Sequence, residues 1–196
     1  MTATSLKLGV LGSTKGTDLQ AILDSIDLKN LDATVEVVIS NSSSAYILER
    51  AANHNIPNFF ISHLGKKREQ FDDEISAMLK KYEVDLVLLI GFMRILSSTF
   101  CQEWEERILN VHPSLLPKYA GGMDLNVHEE VIKNKEVETG CTIHYVTETV
   151  DNGPILIQKK CSVGANDTPD SLKKKVQSLE GEAFIDAIKF FQNNIY

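Results

Sequence analysis

Asn110 and His112 stand two residues apart in RILNVHPSLLPKYAGG (107–122), where an apolar run with Ile108, Leu109 and Val111 gives way to a loop carrying Pro113, Pro117, Gly121 and Gly122. Residues i and i+2 of an extended segment point to the same side. A following proline keeps His112 out of helix, so the carboxamide and the imidazole should face one space. An imidazole gives or takes a proton near neutral pH, and an amide N–H can donate to an oxygen that becomes negative. The pair therefore suits acyl-type transfer through a tetrahedral intermediate. No serine or cysteine nucleophile accompanies it, because Ser114 is not in a G-x-S-x-G turn. The nucleophile is then expected to belong to the substrate, and a carboxylate is needed to orient the ring. Asp151, in VDNGP (150–154), is a candidate; composition alone favours reading it as a turn residue beside Asn152 and Gly153.

Two more stretches carry candidates. GVLGSTKGTDLQ (9–20) is a glycine-punctuated turn that fits neither G-x-G-x-x-G nor G-x-x-x-x-G-K-[ST]. One reading is a capping box of Thr17 and Gln20 with Asp18 at the positive helix end. The other is a phosphate held by the free amides of the helix start, Gly16 allowing close approach. GFMRIL (91–96) follows the most apolar run. Arg94 there is either a surface arginine with its stem on Met93 and Ile95 or a ligand contact at the carboxyl end of a strand. His144, packed inside the strand-like TIHYV, His128, on an exposed-looking helix, and His54 and His63, in turns, read as structural or solvated residues. Cys101, Cys141 and Cys161 are odd in number and far apart, with no zinc-like spacing, and read as reduced thiols.

The elements that must position these residues alternate along the chain. Strand-like runs at 6–12, 35–40, 56–62, 84–92 and 107–111 are separated by helical patterns at 18–26, 45–55, 67–83 and 97–104. Such alternation is the signature of an α/β fold, an open mostly parallel twisted sheet with helices on both faces. Beyond residue 122 come a helix (125–133), a strand hairpin (140–148 and 154–163) and a long final helix (167–192) with Thr168 as N-cap and Pro169 at its first position. This gives an antiparallel C-terminal extension. With 196 residues, 43% of them hydrophobic, the chain is expected to be a single domain. A net charge of −7 argues against nucleic acid as a partner. No apolar run approaches the roughly 20 residues that span a bilayer. The N-terminus lacks the pattern of a signal peptide, and a cytoplasmic location is expected.

NVHPSLLPKY (110–119), together with GFMRIL (91–96), GSTKGTDLQ (12–20) and VDNGPIL (150–156), closely resembles the glycinamide ribonucleotide formyltransferases of purine synthesis. The resemblance covers nearly the whole chain in the family's order. It implies a Rossmann-like formyltransferase fold, with a nucleotide-binding half at about 1–100 and a folate and catalytic half at about 101–196. It implies transfer of formyl from 10-formyltetrahydrofolate to the amino group of glycinamide ribonucleotide, with no metal. By that likeness Asn110 and protonated His112 stabilise the oxyanion, and Asp151 favours the cation by charge attraction. The phosphate loop falls on Gly16, Thr17 and Asp18, and Glu180 contacts the ribose. The folate site falls on Arg68, Met93, Arg94, Ile95 and Leu96, with Asn110 and the segment Thr147, Glu148, Thr149, Val150 and Asp151 opposite. A monomer or weak homodimer is expected.

Two departures stand out. Family members often read GSN where this chain has GTD, so Asp18 adds negative charge beside a phosphate unless its carboxylate turns away or Lys15 compensates. AGGMDLNVHEEV (120–131) also differs from the commoner loop, through Asp124 and Asn126. The rival readings are another formyl-folate transferase, a formyltetrahydrofolate hydrolase, or a non-catalytic nucleotide-binding module. The first two usually carry additional domains, and the last leaves the spacing of Asn110, His112 and Asp151 unexplained.

Overall fold

The computed structural model describes residues 5–122 and 125–195. In chain order the elements are β1 (Leu6–Gly12), α1 (Thr17–Asp27), β2 (Ala33–Ser40), α2 (Tyr46–Asn53), β3 (Asn58–Phe60), α3 (Arg68–Lys81) and β4 (Leu86–Ile90). They continue with α4 (Ser98–Glu103), β5 (Ile108–His112), α5 (Leu125–Lys133), β6 (Glu138–Tyr145), β7 (Ile155–Ser162) and α6 (Pro169–Ile195). The strands form one seven-stranded sheet of order β3-β2-β1-β4-β5-β6-β7. β1 to β5 run parallel, while β6 and β7 pair antiparallel. This is the mostly parallel sheet with an antiparallel extension that the alternation predicts.

The period-two alternation of the strands splits the core into two layers. Leu6, Leu8 and Val10 of β1, with Leu86, Leu88 and Ile90 of β4, belong to the layer that holds the buried faces of α1, α2 and α6. Leu11, Val87, Leu89 and Ile108 belong to the other, with α3 and α4, among Phe71, Ile75, Leu79, Phe100 and Trp104. Every residue of β4 is buried, as a central parallel strand covered on both faces must be. α6 starts at Pro169, and its cap is reciprocal: Thr168 Oγ1 accepts from the Ser171 amide at 3.2 Å, and Ser171 Oγ accepts from the Thr168 amide at 2.9 Å.

The strand order reverses at β1 and β4. β2 and β3 lie beyond one, and β5 to β7 beyond the other. In open α/β sheets such a reversal opens a crevice at the carboxyl ends of the strands. The two loops that flank it are tied together, since the Ser13 amide donates to the Gly91 carbonyl at 3.1 Å and the Met93 amide to Ser13 Oγ at 2.9 Å.

Candidate active site

A cleft of about 790 Å³ occupies this crevice. Its size and mixed lining suit a small-molecule site. The loop after β1 and the start of α1 supply Gly16, Thr17 and Asp18, the segment after β4 supplies Met93 to Leu96, and α3 supplies Arg68 from its first turn. β5 supplies Asn110 and His112, the β6–β7 connection supplies Thr147, Thr149, Val150 and Asp151, and α6 supplies Glu180. Of the site residues that the family likeness implies, Glu148 alone does not line it. Its carboxylate instead accepts from Gln102 Nε2 at 2.6 Å, out on the surface. Asp124 lies outside the described residues, and Asn126 is exposed on α5.

Asn110, His112 and Asp151 converge. The antiparallel β5–β6 and β6–β7 pairs carry the chain back across the sheet and bring the turn at Asp151 beside the end of β5. His112 Nδ1 lies 3.1 Å from Asp151 Oδ2, with the two side chains 3% and 9% exposed. Its Nε2 lies 3.0 Å from the Tyr119 carbonyl. Both neighbours only accept, so the ring satisfies both only as the imidazolium. Asp151 holds a left-handed backbone, φ 53°, and its Oδ2 also accepts from the Gly121 amide at 2.8 Å. Burial alone would push this carboxyl up. The hydrogen bond with His112, the Gly121 amide and the His112 charge outweigh it, holding Asp151 well below the usual carboxylate range. Gly153 is required two residues on: a Cβ there would fall 1.8 Å from the Tyr145 carbonyl oxygen.

The loop after His112 is stapled to the extension. Thr142 Oγ1 accepts from the Leu116 amide at 3.0 Å and donates to the Ser114 carbonyl at 2.7 Å, and Gln158 Nε2 donates to the Leu116 carbonyl at 3.0 Å. On the opposite wall Arg94 lies over the Phe71 ring at 5.1 Å. Asp72, buried and facing the charges of Arg94 and Arg68, accepts from the Ser97 amide at 2.6 Å. The segment 91–97 is thereby fixed to α3. Arg94 lines the cleft with its head resting on the Phe71 ring, a contact that neither sequence reading named.

Several expectations are corrected. Thr17 is not the N-cap of α1. Gly16 occupies that place in left-handed geometry, φ 67°, and no side chain caps the helix. Its carbonyl receives the Gln20 amide, while the Gln20 side chain reaches Asp24 and Arg50. Only glycine fits there, because an added Cβ would also approach the Ile47 side chain to 2.5 Å. His128, read as lying on an exposed helix, is 1% exposed and lines the cleft beside the buried Val127 and Val131. His144 is packed within β6 at 2% exposed, as read, and it also lines the cleft: Nε2 is 3.1 Å from Asn110 Nδ2 and 3.5 Å from Asp151 Oδ1. Its signal was the T-x-H alternation in GCTIHYV, which places Thr142 and His144 on the face opposite Cys141 and Ile143. Lys173 and Gln177 also line the cleft. With Glu180 they recur at i, i+4 and i+7, the spacing of one helix face, a signal that the sequence did carry.

Asp18 resolves its charge conflict in a third way. It is 5% exposed, and burial pushes its carboxyl from 3.8 up to about 7. The buried carboxyl therefore holds a proton far more readily than a free aspartate. A carboxyl raised on folding takes up a proton between the two values, so the folded state is favoured in acid and loses this contribution as pH rises from about 4 to about 7. Asp18→Asn is expected to flatten the fall of melting temperature over that interval. A fall as steep as that of the wild-type protein in a pH series of thermal melts would contradict this.

The sequence pattern of the family described as formyl transferase matches residues 6–188. Phosphoribosylglycinamide formyltransferase of Escherichia coli is 38% identical over 187 residues, 95% of this chain and 87% of that protein. The human trifunctional purine biosynthetic protein adenosine-3 is 40% identical over 93% of this chain, which spans only 18% of that much longer protein. The crystal structure of glycinamide ribonucleotide transformylase 1 from Symbiobacterium toebii superposes with a TM-score of 0.92 at 35% identity, over 97% of this chain and 89% of the other. The likeness runs from the first strand into the last helix, in sequence and in backbone alike, and so takes in every wall of the cleft: the chain belongs to the formyl transferase family.

Proposed function

We propose that this chain transfers the formyl group of 10-formyltetrahydrofolate to the amino group of glycinamide ribonucleotide, giving formylglycinamide ribonucleotide and tetrahydrofolate in purine synthesis. The observation that carries the reading is the meeting of Asn110, His112 and Asp151 in one cleft. Similarity over 87% of the E. coli enzyme supports the choice of substrates. The amine attacks the formyl carbon, a C–N bond forms, and the carbonyl electron pair moves to oxygen. Asn110 and the His112 cation stabilise that oxyanion, and Asp151 holds the cation in place. Collapse breaks the bond to the folate nitrogen, which leaves with the proton given up by the amine through water.

In this reading the chain acts as one domain. The loop Gly16–Asp18 in the first half takes the nucleotide phosphate, and Glu180 reaches the ribose from the second. Arg68 and Met93 to Leu96 form one wall of the folate site, and Thr147 to Asp151 the other. Glu148, turned toward Gln102, helps shape that wall without facing the donor. Action as a monomer or weak homodimer is part of the same proposal. Among the described residues no group of His, Cys, Asp and Glu could hold a metal ion, and no helix is long and apolar enough to cross a membrane. The expected cytoplasmic location is part of the same proposal.

The test is an absorbance assay of the deformylated folate, with and without the ribonucleotide. Turnover only in its presence is expected. Turnover that ignores it would instead indicate a hydrolase, and binding of both ligands without turnover a nucleotide-binding module. Thr17→Ala gives a second check. Thr17 is exposed, lines the cleft and makes no cap. Its loss is expected to raise KM for the ribonucleotide about tenfold, the worth of one hydrogen bond to a charged group, with KM for the folate and the melting temperature unchanged. An equal rise in both KM values would count against the phosphate assignment.

A further inference from the structure

His144 is the cross-strand partner of Asn110 in the β5–β6 ladder. Directly opposed residues of an antiparallel pair carry side chains on one face in contact, and here the contact is polar and buried. His144 Nδ1 lies 2.9 Å from the Tyr145 carbonyl oxygen. A carbonyl only accepts, so Nδ1 bears the hydrogen. His144 Nε2 lies 3.1 Å from Asn110 Nδ2. An amide nitrogen only donates, so Nε2 presents its lone pair. The two contacts agree on one species, the neutral ring protonated at Nδ1. In that form His144 engages one N–H of the Asn110 amide and leaves the second N–H to point elsewhere.

Asp151 Oδ1 stands 3.5 Å from the same Nε2. It is served only if Nε2 carries a proton, and a proton there would expel the Asn110 amide. His144 is thus a branch point between two members of the site. Through the 2.9 Å bond to its own strand's backbone, the fold selects the branch that leads to Asn110 and reserves Asp151 for His112.

We propose that His144 is a positioning residue for formyl transfer, whose Nδ1-protonated ring fixes the Asn110 carboxamide so that an amide N–H is aimed at the formyl oxygen. The proposal deepens the reading given under Proposed function and rests on it. His144 touches no reacting atom. It acts by removing the amide's rotational freedom, which would otherwise be lost at the transition state. A glutamine can imitate the acceptor at Nε2 with Oε1, whereas an asparagine imitates only Nδ1 and a leucine neither.

The experiment joins kinetics with a tautomer measurement. His144→Leu is expected to lower kcat by about 10- to 100-fold, short of the full loss of an oxyanion donor, with KM for both substrates within about twofold of wild type. His144→Gln should recover most of that loss, and His144→Asn should not. In an Asn110→Ala background, His144→Leu should cost almost nothing more, because the residue it positions is gone. Losses that multiply across the double mutant, or equal defects in the Gln and Asn variants, would overturn the proposal. Thermal melts report on folding of each variant. Nitrogen-15 NMR of the wild-type protein provides the reading that no variant can compromise: His144 should show a protonated Nδ1 and a bare Nε2. The opposite tautomer, or a doubly protonated ring, would overturn the proposal. If the wild-type protein shows no turnover, the functional reading fails by itself, and the tautomer still decides whether His144 orients Asn110.

Discussion

His112→Ala is expected to lower kcat by about 10³-fold, within the range that proton transfer and oxyanion stabilisation contribute, while KM for the formyl folate changes by less than about threefold. The asymmetry follows from position. His112 is 3% exposed at the end of β5 and offers a ligand little surface, so most of what it does should fall on the transition state. Its removal also strips a donor from the Asp151 carboxylate and from the Tyr119 carbonyl. The Gly121 amide still serves Asp151, so the turn should survive. Steady-state kinetics with both substrates varied will check this. A variant with near-normal kcat, or one whose whole defect lies in KM, would remove His112 from the chemistry.

The second large effect is expected from Asp151→Asn. The substitution keeps the shape of the turn and an oxygen for the Gly121 amide. It removes the negative charge that faces His112 Nδ1 at 3.1 Å, and a fall in kcat of about 100-fold or more is expected, as when the orienting acid of a histidine is neutralised. The pH dependence has a definite sign. Asp151 lies below the usual carboxylate range in the folded protein. Its contribution to stability is therefore complete above the unfolded value near 4 and is lost as pH falls below it. The variant's carboxamide has no such charge, so the stability gap between wild type and variant should narrow as pH falls below about 4. A gap that widens on acidification through that range would show that Asp151 is not held as an ion pair.

The readable parts of this molecule were those that local physics fixes. Period-two apolar strands alternating with 3.6-period helices gave the sheet, and the Pro169 helix start with its Thr168 cap was visible as a motif. Asn110 and His112 were legible as a pair because the strand period places i and i+2 together whatever surrounds them. Asp151 could not be placed from spacing alone, since it is brought to His112 by β6 and β7 folding back across the sheet, and only the resemblance to a family tied it to the site. Thr17 was misread because a capping box is a pattern of residue types, while the helix start was decided by Gly16 entering the left-handed region against Ile47. His128 was misread, and the place of His144 beside the cleft was missed, for one reason. A histidine on an otherwise apolar element looks the same in sequence whether it packs inertly or faces a cleft, and tertiary pairing settles which. Asp18 shows the same limit in electrostatics: its type suggested a charge beside a phosphate, and its burial pushes the carboxyl up to about 7.

In the proposed reaction this cleft passes a formyl carbon directly from folate to an amine. The most direct measurement supplies 10-formyltetrahydrofolate carrying carbon-13 in the formyl group, together with glycinamide ribonucleotide, and follows the label by NMR. The label is expected to leave the folate and reappear in the formamide of the ribonucleotide product, with no free formate on the way. Label accumulating as formate at the same rate, whether or not the ribonucleotide is present, would contradict it.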